Sequence, residues 1–169
     1  MGAKGFNVVQ EGHIVTLYYP LDIDTLAAAK SPVIVLMENF VHATIIYSIG
    51  VNPLAAGVVT IESCDTIVPA TATQIMFRYH RYETSQILAS GDVPGALTWT
   101  TTAAAGLIPV AGGVPSMYVI ELDAEELVQG DIGFRMCIAD PAAASVGSAI
   151  AVLSGARYAH MGTTQMAVV

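Results

Sequence analysis

The sequence predicts an all-β fold, two sheets packed as a β-sandwich, and three observations carry that prediction. Apolar and polar residues alternate in short runs along most of the chain, as half-buried strands require. Gly, Pro, Asn and Asp punctuate the runs at turns. Only Asp24 to Lys30 and Asp123 to Val128 read as helical turns. About seven to nine short strands with so little helix favour two sheets joined in a jelly-roll-like manner.

His13 to Tyr19 is the first strand, rich in β-branched and aromatic residues. Val33 to Met37 follows, then Val41 to Val51, where Ile45, Tyr47 and Ile49 alternate with Thr44, Ile46 and Ser48, a strand expected to be buried on both sides. Asn52-Pro53 breaks the pattern, and Gly57 to Cys64 resumes it with Val59 and Ile61 opposite Thr60 and Glu62. Gln74 to Glu83 reads as one strand with Ile75, Phe77 and Tyr79 on one side and Met76, Arg78, His80 and Tyr82 on the other.

Leu97 to Thr102 sets Leu97 and Trp99 against Thr98 and Thr100. Gly106, Pro109, Gly112, Gly113 and Pro115 then mark a connection rather than an element. Met117 to Leu122 alternates Tyr118, Ile120 and Leu122 with Val119 and Glu121, and Asp123 with Glu126 has the spacing of a capping box. Ile132 to Ala139 places Phe134, Met136 and Ile138 inward and Arg135 outward. Ser148 to Leu153 is a strand or a short buried helix, with Ile150 and Val152 favouring strand.

At 169 residues the chain suits one domain, with a sandwich over 13–160, an N-terminal arm over 1–12 and a C-terminal tail over 161–169. Phe6, Val8 and Val9 at one end and Met161 and Met166 at the other are apolar, and such ends either cover their own core or reach a neighbouring subunit. Hydrophobic residues make up 54% and charged residues 12%, half the usual charged share of about 25%. With a mean hydropathy of +0.60, this excess calls for a membrane or for burial between subunits. The best candidate span, Pro32 to Val51, is interrupted by Glu38, Asn39 and His42, and the N-terminus lacks the layout of a signal peptide. Synthesis in the cytoplasm and self-association as a homo-oligomer are therefore expected, without a membrane partner.

A net charge of -8 with six Lys plus Arg argues against direct nucleic-acid binding, which needs a basic stripe against phosphates. Cys64 and Cys137 lack metal-site spacing and read as buried free thiols, although a disulfide between them stays open. No nucleophile elbow, phosphate loop, zinc motif or dinucleotide fingerprint is present, so no catalytic residue and no cofactor is expected. His13, His42, His80 and His160 are scattered and read as structural. Asp123, Glu125 and Asp131 are weak candidate ligands of a structural ion, against their reading as the solvated cap of a short helical turn. Arg78, His80, Arg81 and Tyr82 form the densest basic and aromatic patch, either a protein-binding edge or a polar strand face paired with carboxylates.

Three stretches carry a resemblance: Tyr118-Val-Ile-Glu-Leu-Asp-Ala-Glu-Glu-Leu127, Gly133-Phe-Arg-Met-Cys-Ile-Ala-Asp140, and Gly147 to Tyr158 with its closing Leu-Ser-Gly-Ala-Arg-Tyr. Their order resembles a group of tailed-bacteriophage virion proteins, and Ala43 to Gly50 with Val58 to Glu62 is similar to the first half of that group. The resemblance implies a capsid decoration or cement protein on the virion surface. Its partners would be the major capsid protein and further copies of itself, as dimer or trimer, and no catalytic residue carries over. A tail or baseplate structural protein shares the same composition. A carbohydrate-binding sandwich is the other alternative, with Trp99, Tyr79 and Tyr82 as stacking surfaces, although a single Trp in such an alternation more often packs in a core.

Overall fold

The computed structural model describes residues 12–23, 33–51, 57–69, 71–83, 95–109, 115–141 and 143–156. Within them the alternating runs become ten strands: β1 (His13–Asp22), β2 (Ile34–Leu36), β3 (Phe40–Ile49), β4 (Val59–Cys64), β5 (Ala72–Ile75), β6 (Arg78–Glu83), β7 (Thr98–Trp99), β8 (Ser116–Asp123), β9 (Gly133–Ile138) and β10 (Val146–Ala156). One 3-10 turn, Ala124–Glu126, follows β8. The sequence expectation of an all-β sandwich holds. A larger sheet runs β1-β10-β3-β8-β6-β7 and a smaller one β2-β9-β4-β5, with every pairing antiparallel.

The pairings nest. β1 pairs β10, β2 pairs β9, β3 pairs β8 and β4 pairs β5, so the chain is a long hairpin whose arms step alternately from one sheet to the other. β6 and β7 are added outside β8 at the edge of the larger sheet. Between the sheets lie Ile45 and Tyr47 of β3, Tyr118, Ile120 and Leu122 of β8, and Val59, Ile61, Phe134 and Met136 from the smaller sheet, all buried. Burial stabilises each such aliphatic by roughly 1.5–3 kcal/mol. Bulk is balanced across the ladder, since Tyr47 stands in register between the small Ala149 and the bulky Tyr118.

Several boundaries differ from the sequence reading. Gln74 to Glu83 is two strands, because the chain leaves the smaller sheet after Ile75 and enters the larger one at Arg78. At this corner Thr100 replaces the missing ladder partner: its N–H donates to the Phe77 carbonyl (3.1 Å) and its Oγ1 accepts from the Phe77 N–H (3.2 Å). Leu97 to Thr102 accordingly shrinks to the two-residue β7. There Thr100 is the core-facing residue, while Trp99 is half exposed rather than packed inside.

β3 is not buried on both sides, for Ser48 is exposed and Thr44 and Ile46 only half-buried. β4 is the doubly covered strand instead: Val59 and Ile61 face the core, and Thr60 and Cys64 on the opposite side are buried as well. β10 settles as an eleven-residue strand. The turn after β8 forms as the capping spacing predicts, with the Asp123 N–H donating to Glu126 Oε2 (2.8 Å). The expected turn at Asp24 to Lys30, the tail 161–169 and all of the arm 1–12 but Gly12 lie outside the described residues. No helix among the described residues is long and apolar enough to cross a membrane.

Candidate interaction face and its ion network

The outer face of the smaller sheet is partly covered, with Ile34, Thr60 and Cys64 buried, Glu62 and Arg135 half-buried, and Gln74 on β5 exposed. The open β surface is the outer face of the larger sheet. Strand register places its side chains in rows. One row reads Ile14, Val152, Thr44, Glu121, Arg78, Trp99, and the next reads Thr16, Ile150, Ile46, Val119, His80. On the β1, β10 and β3 half of the face Ile14, 55% exposed, Val152, Ile150 and Ile46 are interleaved with Thr16, Ser148, Thr44 and Ser48, and the charges gather where His42 meets β8 and β6.

Those charges form one network. His42 on β3 lies opposite Asp123 on β8, and its imidazole contacts both Asp123 Oδ1 through Nδ1 (2.6 Å) and Glu121 Oε2 through Nε2 (2.6 Å). Thr44 donates its hydroxyl to the same Glu121 oxygen (2.9 Å). From β6 the Arg78 guanidinium donates to Asp123 Oδ2 (2.7 Å) and lies 3.4 Å from Glu126 Oε1. The same guanidinium stacks over the Trp99 ring at 5.4 Å.

The network sets the protonation of its members. Partial burial by itself would lower the His42 pKa, but hydrogen bonds to Asp123 and Glu121 outweigh it and hold the imidazole above its ordinary value. Hydrogen bonding from His42, then from Arg78, holds the Asp123 carboxyl below its ordinary range. Thr44 Oγ1 is 3.3 Å from His42 Nε2, so Thr44, His42 and Asp123 trace the outline of a hydroxyl–imidazole–carboxylate relay. Glu121 changes that chemistry. While its imidazole is protonated on both nitrogens, the form that two facing carboxylates favour, His42 has no lone pair with which to draw a proton from Thr44.

The sequence-predicted patch is divided. Arg78, His80 and Tyr82 alternate onto the outer face, whereas Arg81 is opposite Tyr118, on the side of Tyr79. His80 Nδ1–H donates to the Gly95 carbonyl (2.8 Å), which ties it to the edge. Tyr79 packs edge-on against Tyr118 inside the sandwich, so Trp99, Tyr79 and Tyr82 do not share a stacking surface. Phe6, Val8, Val9, Met161 and Met166 lie outside the described residues.

The suggested ion ligands go to separate partners. Asp123 takes His42 and Arg78, Asp131 accepts from Ser63 Oγ, and Glu125 is exposed. Among the described residues no group of three or more His, Cys, Asp or Glu side chains is placed to hold a metal. Cys64 and Cys137 are both free thiols, and burial pushes the Cys137 thiol up to about 12. An open cleft of about 330 Å³ at one end of the larger sheet, lined by Pro20, Ile49, Pro115, Met117 and Val146 among others, holds no titratable side chain.

The His42 network was missed from sequence because no two histidines are close and each half of it is unremarkable alone. Its trace is the pair of alternations His42-x-Thr44 and Glu121-x-Asp123, which meet only once the β3–β8 register is known. Compared with known proteins, the chain matches no family model, no curated protein and no solved structure.

Proposed function

We propose that this chain is a virion structural protein, a capsid decoration or cement protein that binds the outside of an icosahedral phage head and bridges coat subunits. Its partners are the major capsid protein and further copies of itself. The observation that carries the reading is the outer face of the larger sheet, where Ile14, Val152, Ile150, Ile46 and Val119 form an outward field of apolar side chains interleaved with the hydroxyls of Thr16 and Thr44, beside an internally paired ion network. Such a field suits burial against another protein, as the charge-poor composition requires. The motif order from Tyr118 onward supports the phage assignment. Nested pairing of β1 with β10, β2 with β9, β3 with β8 and β4 with β5 supports a jelly-roll-like topology, with β6 and β7 as an edge addition.

A protein that binds the assembled lattice in preference to free subunits stabilises the lattice by linkage, and repetition over a symmetric shell adds avidity. The His42 cluster serves structure in this reading, and no group is assigned a catalytic role. The test is to mix the purified protein with expanded heads. Binding together with a raised temperature of head disruption is the expected result, and failure of both refutes the proposal. A tail or baseplate location is the alternative outcome of labelled-particle microscopy. A half-exposed Trp99 over Arg78 is the observation that favours a carbohydrate-binding module, and silence on a glycan array disposes of it.

A further inference from the structure

We propose that His42 is a proton-operated latch fastening β3 to the corner where β8 runs into the Ala124–Glu126 turn. The geometry requires a doubly protonated ring. Both nitrogens approach carboxylate oxygens at 2.6 Å, and a carboxylate can only accept. A neutral imidazole has one N–H, so on deprotonation one contact becomes lone pair against lone pair and must open.

The surroundings bias the ring toward the cation. β8 presents Glu121 and Asp123, the turn presents Glu126, β6 presents Arg78, β3 itself adds the hydroxyl of Thr44, and β10 places Ser154 opposite His42. Three carboxylates thus share two cations when His42 is charged, and only Arg78 when it is not. The side chains of His42 and Glu121 are each 30% exposed, so a proton from solvent reaches the site without unfolding.

Opening the latch has a defined reach. Asp123 is at once the His42 partner, the Arg78 partner and the residue whose N–H is held by Glu126. Releasing either carboxylate from His42 removes one of the side-chain ties between the end of the β3–β8 ladder and the turn, and leaves Arg78 as the one cation shared by the three carboxylates. The latch is therefore closed while the carboxylates are ionised and His42 is protonated, and it opens as pH rises through the His42 titration.

The test is a histidine-labelled NMR titration of the full chain from about pH 5 to 9, read together with amide exchange at Asp123 to Glu126. The expected result is a His42 ring protonated on both nitrogens, titrating above the ordinary 6.5, with turn amides exchanging several-fold faster beyond that midpoint. Glu121→Gln removes one acceptor charge, lowers the midpoint and reduces the change in exchange. Titration of His42 at or below 6.5 overturns the proposal. So does a turn whose exchange ignores the transition, or a midpoint that Glu121→Gln leaves in place. The wild-type titration decides the matter even where that variant fails to fold.

Discussion

Tyr47→Phe is expected to stabilise this protein, against the common direction for changes in a core. The Tyr47 side chain is fully buried between the sheets, its ring stacked on Tyr118 at 6.2 Å, and its hydroxyl finds no hydrogen-bond partner among the described residues. A buried, unsatisfied hydroxyl carries a desolvation penalty of about 1–3 kcal/mol. Deleting one oxygen leaves a void of roughly 10 Å³, worth on the order of 0.2 kcal/mol. The ring, its stacking and its burial stay as they are. The balance is a gain of about 1 kcal/mol or more, equivalent to a rise in Tm of about 2–4 °C for each kcal/mol at this chain length. Calorimetry and urea unfolding of both forms measure it. A loss of about 1 kcal/mol would show that the hydroxyl is satisfied in the core and that the accounting is wrong.

Glu62 and Arg135 face each other across β4 and β9, with Arg135 Nε donating to Glu62 Oε2 (2.6 Å), and both are largely buried. Arg135→Met should therefore cost about 1–3 kcal/mol in urea unfolding by stranding Glu62, and adding Glu62→Gln should restore part of it. At Gly133 a Cβ would lie 2.2 Å from the Val35 carbonyl oxygen, so Gly133→Ala should separate β2 from β9 and lower the Tm by several degrees at least. Cys137, its thiol pushed up to about 12 by burial, and buried Cys64 should both resist thiol reagents at about pH 8 until denaturant is added. Asp123 has a folded pKa depressed below 3.8, so its contribution is complete above that value and is lost as acid titrates the folded carboxyl. Urea midpoints should accordingly fall less steeply with acid in Asp123→Asn than in the parent.

Strand by strand, the architecture was legible wherever alternation ran unbroken. β8 and β9 lie where their apolar residues put them, because period two names the buried face without reference to any neighbour, whereas β3 was located but its second face was read as buried on the strength of Ile46. The corner at Met76 and Phe77 was not legible. Alternation continues smoothly through it, and only pairing tells that Ile75 belongs to one sheet and Arg78 to the other. Trp99 was misplaced for a related reason. On an edge strand of two residues, its side chain meets Arg78 on the outer face and not the core. The ion network was hidden more deeply, since His42 and its two carboxylates are some eighty residues apart and meet through register alone.

The nesting of the strands also fixes when the molecule can be completed. The outermost pair joins His13 to Leu153, and every inner pair except β4–β5 spans a long stretch of chain. Such contacts return nothing until the loop between them has closed, which places this topology among slow folders, on timescales of milliseconds to seconds. A ribosome presents β1 before β10, so β1 waits with its pairing edge open while all the strands between them are made. Whatever the finished face packs against, the strand that closes the sheet beside it is among the last to arrive.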